Sequence, residues 1–222
     1  MNPRNYQQEL DRILSDESNY KKKLLLHSCC APCSSYVLTY LSSFFDITVY
    51  YYNPNITDDS EYLHRVSEQK RLIDTLNSDG FIPEWSARQS ERINIGFIEG
   101  PHNIEEFYRI SKGLEDVPEG GSRCAGCFYL RLKKTGELAK ELGFDLFTTT
   151  LTISPLKNAP LINSTGERIA EELQSAENDD FAPVWMPCDF KKKGGYAHSI
   201  ELSARYDLYR QNFCGCEFSR RN

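Results

Sequence analysis

Two kinds of apolar pattern alternate along the chain. Short unbroken runs rich in leucine, β-branched and aromatic residues occupy 22–27, 46–52 and 145–151, and their length suits strands buried on both faces. Longer stretches carry apolar residues three and four apart: 32–43, with Tyr36, Val37, Tyr40 and Leu41; 58–79, with Leu63, Val66, Ile73 and Leu76; then 129–142, 161–175 and 196–209. These read as helices. Shorter strand pieces are expected at 81–85, 93–98 and 182–186, and a short helix at 103–111. Strand, helix and strand in succession over the first 30 or so residues of this pattern make a βαβ crossover, which builds a parallel sheet. The expectation is one α/β domain over 1–222, a parallel sheet between helical layers with a helical elaboration, and a polar surface helix within 1–20.

Composition changes little in this picture until the cysteines are counted. A chain of 222 residues with 40% hydrophobic content can bury a substantial core. A net charge of -6 argues against indiscriminate nucleic-acid binding but leaves room for a local basic patch. The first twenty residues hold no apolar segment and no run is long enough to cross a membrane, so no signal peptide, no membrane partner and a cytoplasmic location are expected. The 8 cysteines are grouped as Cys29, Cys30 and Cys33; Cys124 and Cys127; Cys188; and Cys214 and Cys216. In a reducing compartment such grouping points to metal or redox ligands rather than to a disulfide framework.

His27-Ser28-Cys29-Cys30-Ala31-Pro32-Cys33 puts three thiols where a strand gives way to a helix, with Pro32 in the first helical turn. A helix entrance offers free N–H groups and a positive dipole end, which favour a thiolate. A Pro- and Gly-rich loop at 117–126 brings Cys124 and Cys127 to a second helix entrance. Two loops at strand carboxyl ends, Asn53-Pro54-Asn55 and Ser154 to Asn158 with Lys157, belong to the sheet edge where ligands of α/β folds gather. Several chemistries fit these residues. Cys30-x-x-Cys33 alone is a redox pair, though the adjacent Cys29 invites mispairing; Cys124-x-x-Cys127 alone is half of a zinc site; any single cysteine suits a buried apolar position. Taken together the five thiols can supply the four thiolates of an iron–sulfur cluster. Cys188 reads as packing, and Cys214-Gly215-Cys216 as a tight metal-binding or redox pair. Lys191, Lys192 and Lys193, extended by Arg123, Arg131, Lys133 and Lys134, form either a phosphate grip or a solvated charge run.

The same residues resemble a known family. His27 to Cys33, Tyr52-Asn53-Pro54-Asn55-Ile56 with Glu61-Tyr62, Arg123-Cys124-x-x-Cys127 with Arg131-Leu132, Thr149 to Lys157, Asp189-Phe190-Lys191-Lys192 and Phe213-Cys214-Gly215-Cys216 are similar to motifs of the QueH-type epoxyqueuosine reductases, across residues 22–218. The resemblance implies a fold related to the HUP and PP-loop nucleotide-binding proteins, a [4Fe-4S] cluster with an adjacent mononuclear iron, and cobalamin-independent reduction of epoxyqueuosine to queuosine at the wobble position of tRNA, with an unidentified electron donor. The cluster is expected on Cys29, Cys30, Cys124 and Cys127. Cys33, Cys214 and Cys216 remain for a second centre, which Asp189 could complete. Tyr52, Asn53, Asn55, Arg123, Arg131, Lys157, Lys191 and Lys192 are expected to meet the tRNA, whose modified wobble guanine must be splayed out to reach buried metal. A thiol-disulfide oxidoreductase and a zinc-dependent RNA-binding module are the rival readings.

Overall fold

The computed structural model describes residues 4–79, 94–175 and 181–219. Five parallel strands, β1 (Lys23–His27), β2 (Asp46–Tyr51), β3 (Gly96–Glu99), β4 (Leu146–Thr149) and β5 (Val184–Trp185), lie in the order β3-β2-β1-β4-β5. Seven α-helices are described: α1 (Tyr6–Ser15), α2 (Ala31–Leu41), α3 (Asp59–Asp79), α4 (Ile104–Ser111), α5 (Ser122–Glu141), α6 (Ala159–Ser175) and α7 (Gly195–Arg205). The central strand explains the layering. In β1, Leu24 and Leu26 turn to an apolar cluster with Val37, Leu38 and Leu41 of α2, Ile73 and Leu76 of α3 and Leu202 of α7. Leu25 between them turns to the opposite cluster, with Phe128, Leu132 and Ala139 of α5 and Ile162 and Ile169 of α6. All three leucines are fully buried, as a strand covered on both faces requires. The result is a three-layer α/β domain.

Chain order reverses direction between β1 and β4, so the loops leaving these two neighbouring strands diverge and leave a crevice at their carboxyl ends. Into that crevice run the turn from His27 into α2 and the short 3-10 turn Thr150–Ile153 after β4.

Several elements differ from their sequence-based expectation. Strand β4 ends at Thr149 instead of 151, because the Thr149 hydroxyl accepts the Leu151 N–H and turns the chain. Helix α7 ends at Arg205, before Tyr206 and the left-handed Asp207 (φ 48°), rather than at 209. Helix α5 starts at Ser122, well ahead of the expected 129, so that Cys124 and Cys127 lie inside its first turns. The strand expected at 81–85 falls outside the described residues.

Candidate functional site

The turn after β1 is the centre of the site. Cys30 is the N-cap of α2 and Pro32 lies in its first turn, which holds Cys29 and Cys30 at the crevice and brings Cys33 back beside them. The three sulfurs lie within 4.8 Å of one another, with Cys29 Sγ 3.9 Å from Cys30 Sγ. Hydrogen bonds from Cys30 and Cys33, against burial and with help from the Arg131 guanidinium, hold the Cys29 thiol well below its ordinary pKa. Cys30, as a donor to Cys29, is pushed up to about 12, and Cys33 is raised as well.

These thiols line a cavity of about 360 Å³. Its other walls come from the loop after β4, with Ser154 to Lys157, from Tyr196 of α7, and from the C-terminal segment Arg210 to Cys214. Arg65, Arg131, Lys157 and Arg210 give the lining four cationic side chains against one acid, Glu119. Glu119 is engaged by Lys157 Nζ at 2.8 Å. Burial lowers the Lys157 pKa, but the charge of Cys214 and the bond to Glu119 outweigh it, so the ammonium is held protonated.

The C-terminal pair is fastened by α3 and the loop after β2. Arg65, paired with Glu61 at 2.6 Å, donates to the carbonyls of Phe213 and Cys214, and Asn55 Nδ2 donates to Cys214 O at 3.2 Å. Gly215 (φ +101°) takes a conformation closed to side chains, and an added Cβ would stand 2.6 Å from Ile56 Cγ1. The turn it makes lets Cys216 donate to Cys214. That bond, then the charge of Lys157, lowers the Cys214 thiol to about 5 while Cys216 is driven up. Cys216 packs with Cys127 and Phe107, with Cys214 against them. Cys127 accepts from Arg131 Nη1 at 3.9 Å, and Cys124 accepts the Gly120 N–H at 3.2 Å. Cys188 is apart from this group. It is buried against the hydroxyls of Thr148 and Thr152, and burial pushes its thiol up to about 11.

Comparison with known proteins relates the chain to a family. The model of a family described as "Epoxyqueuosine reductase QueH" matches residues 24–222. Proteins named epoxyqueuosine reductase QueH are 38% identical in Streptococcus pyogenes serotype M1 (99% of this chain, 80% of that protein), 38% identical in Staphylococcus epidermidis (97% and 84%), and 31% identical in Thermotoga maritima (88% and 89%). The chain belongs to the QueH family. It is accordingly an oxidoreductase.

Within this QueH chain, several residues expected to face the substrate are engaged elsewhere. Tyr52 is fully buried, stacked on Tyr50 at 5.8 Å, with its hydroxyl donating to Glu106. Arg123, 2% exposed, spends Nη1 on the carbonyls of Leu114, Glu115 and Val117. Arg131, 4% exposed, is bound to His27 and Asn53. Both arginines point inward because α5 starts early, which sets Arg123, Cys127, Arg131 and Thr135 four residues apart on its buried face. Asn53 Nδ2 donates to Ser28 O at 2.9 Å and so ties the two loops together. Asp189 pairs with Lys191 and is not among the residues lining the cavity, whereas Lys192 is exposed. The sequence reading gave no role to Arg65, Arg210 or His27. His27, fully buried between Thr149 and Arg131, is lowered to about 3 by burial and by the Arg131 charge, so it is neutral. The i,i+4 spacing of Glu61 and Arg65 was the available signal for the first of these.

Proposed function

We propose that this protein reduces epoxyqueuosine to queuosine at the wobble position of tRNA, using a [4Fe-4S] cluster on Cys29, Cys30, Cys124 and Cys127 and a second iron near Cys33, Cys214 and Cys216. The observation that carries this reading is that Cys29, Cys30, Cys33 and Cys214 line one cation-rich cavity at the sheet's switch point, with Cys127 and Cys216 packed together beside Cys214 and Cys124 against the same apolar cluster as Cys29. The donor set suits such a group. Thiolates are the ligands an iron–sulfur cluster takes, and the buried charge of Arg131 has no carboxylate partner among the described residues.

Deoxygenating an epoxide breaks both C–O bonds, forms a C=C bond and releases the oxygen as water, which takes two electrons and two protons. A bound centre of this kind supplies the electrons and a Lewis acid for the departing oxygen. The chain does the rest. The cavity accepts one splayed-out nucleoside and keeps bulk water away from it. Tyr196, 39% exposed at the wall, stacks on the base. Lys157 holds a proton at Nζ beside the reacting group, oriented by Glu119. Exposed Lys192, with Lys191, meets phosphates outside the cavity.

The test is conversion of epoxyqueuosine-containing tRNA by anaerobically purified protein with a chemical reductant, read by mass spectrometry of the digested nucleosides. Queuosine formed in proportion to bound iron supports the proposal. A colourless zinc protein that forms none and binds tRNA would support the RNA-binding rival.

A further inference from the structure

We infer that Arg131 is a positioning residue whose buried positive charge, set between the two cysteine-bearing helix entrances, makes the metal centre easier to reduce; this rests on the iron–sulfur reading above. Arg131 lies on α5 one turn beyond Cys127, and its three nitrogens go to three different elements. Nε donates to His27 Nε2 at 3.2 Å at the end of β1, Nη2 to Asn53 Oδ1 in the loop after β2, and Nη1 to Cys127 Sγ at 3.9 Å on its own helix. His27 is two residues from Cys29. The guanidinium therefore touches Cys127 of one pair expected on the cluster and is fixed to the strand end that leads into Cys29 of the other.

No carboxylate lies within ion-pair reach of it among the described residues, although it is 4% exposed. Arg65, as deeply buried, has Glu61, and Arg123 has a cage of three carbonyl oxygens. Arg131 faces only an imidazole nitrogen that accepts from it, an amide oxygen and sulfur. An ion held away from water costs several kcal/mol unless opposite charge compensates it. Thiolate ligands are that opposite charge. The effect runs both ways: a cation fixed beside the sulfurs favours the state with one more electron, and an N–H directed at a ligand sulfur acts in the same sense. The forked guanidinium reaches three partners at once, which a lysine ammonium cannot do with the same geometry.

The experiment compares anaerobically purified wild type with Arg131→Gln, Arg131→Lys and Asn53→Asp, measuring iron and sulfide content and the midpoint potential by spectroelectrochemical titration. Asn53→Asp keeps Arg131 and turns the oxygen it bonds into a carboxylate, at the loss of the bond from Asn53 Nδ2 to Ser28 O. The expected result is a more negative midpoint in Arg131→Gln and Asn53→Asp, with Arg131→Lys nearest to wild type. An unchanged midpoint in Arg131→Gln overturns the inference, and if that variant loses its iron, an unchanged midpoint in Asn53→Asp does so. Loss of iron from all three variants would mean a purely structural role and overturns it too. Wild-type protein without iron removes the reading of the site itself, and this inference with it.

Discussion

At the scale of single residues, chemistry separates the cysteines into two populations. Cys188 meets hydroxyls and a carbonyl in the core, a setting for an inert buried thiol. Six others meet one another or the cavity, and Cys124 accepts the Gly120 N–H at the entrance of α5. Serine at Cys29, Cys30, Cys124 or Cys127 is expected to lower bound iron and sulfide, whereas Cys188→Ala is expected to keep the full content at a cost in stability of about 1–2 kcal/mol, as for other small losses from a core. Colorimetric iron and sulfide assays on the five variants check this, and full cluster content in all four serine variants would refute the ligand set. The thiols and their grouping were legible in sequence because cysteine chemistry is local to each motif. The inward arginines were not: Gly120, Gly121 and Gly126 made 117–126 read as loop, whereas the helix already includes Gly126 at a tolerable cost of about 1 kcal/mol.

At the scale of elements, the alternation of strand and helix was readable from periodicity, but the tether between α3 and the C-terminal segment was not, since it joins residues 148 and 149 apart in sequence. Helix α3 presents Arg65 to the carbonyls that precede Gly215, and Glu68 to Tyr209 N at 2.9 Å, so it positions the wall that carries Cys214. Arg65→Leu leaves Glu61 with only the Tyr209 hydroxyl, frees the Phe213 carbonyl and leaves the Cys214 carbonyl to Asn55 alone. A loss of roughly 3 kcal/mol, the lower end for removing one partner of a buried pair, is expected. Hydrogen exchange should localise the loosening to 209–216 and leave β1 and β4 protected; uniform exchange across the chain would mean that the tether does not exist as a separate unit.

At the scale of the whole molecule, an acidic protein concentrates cations at one edge of its sheet. The crevice at the β1/β4 reversal receives both the thiol turn and Lys157, although the chain as a whole carries a net charge of -6. Such a distribution steers a polyanion to one place. The pair substitution Lys191→Ala with Lys192→Ala should weaken tRNA binding and reduce the slope of log affinity against log salt by about one to two units, with iron content unchanged. An unaltered slope would make the turn a solvated run, as one reading of its sequence allowed. The most direct test of the account as a whole is an iron-selective anomalous diffraction map of anaerobically grown crystals. The account predicts a compact multi-iron peak bounded by Cys29, Cys30, Cys124 and Cys127, with a separate single-iron peak toward Cys33, Cys214 and Cys216; a cavity edge holding one zinc or no metal, with these sulfurs unligated, would contradict it.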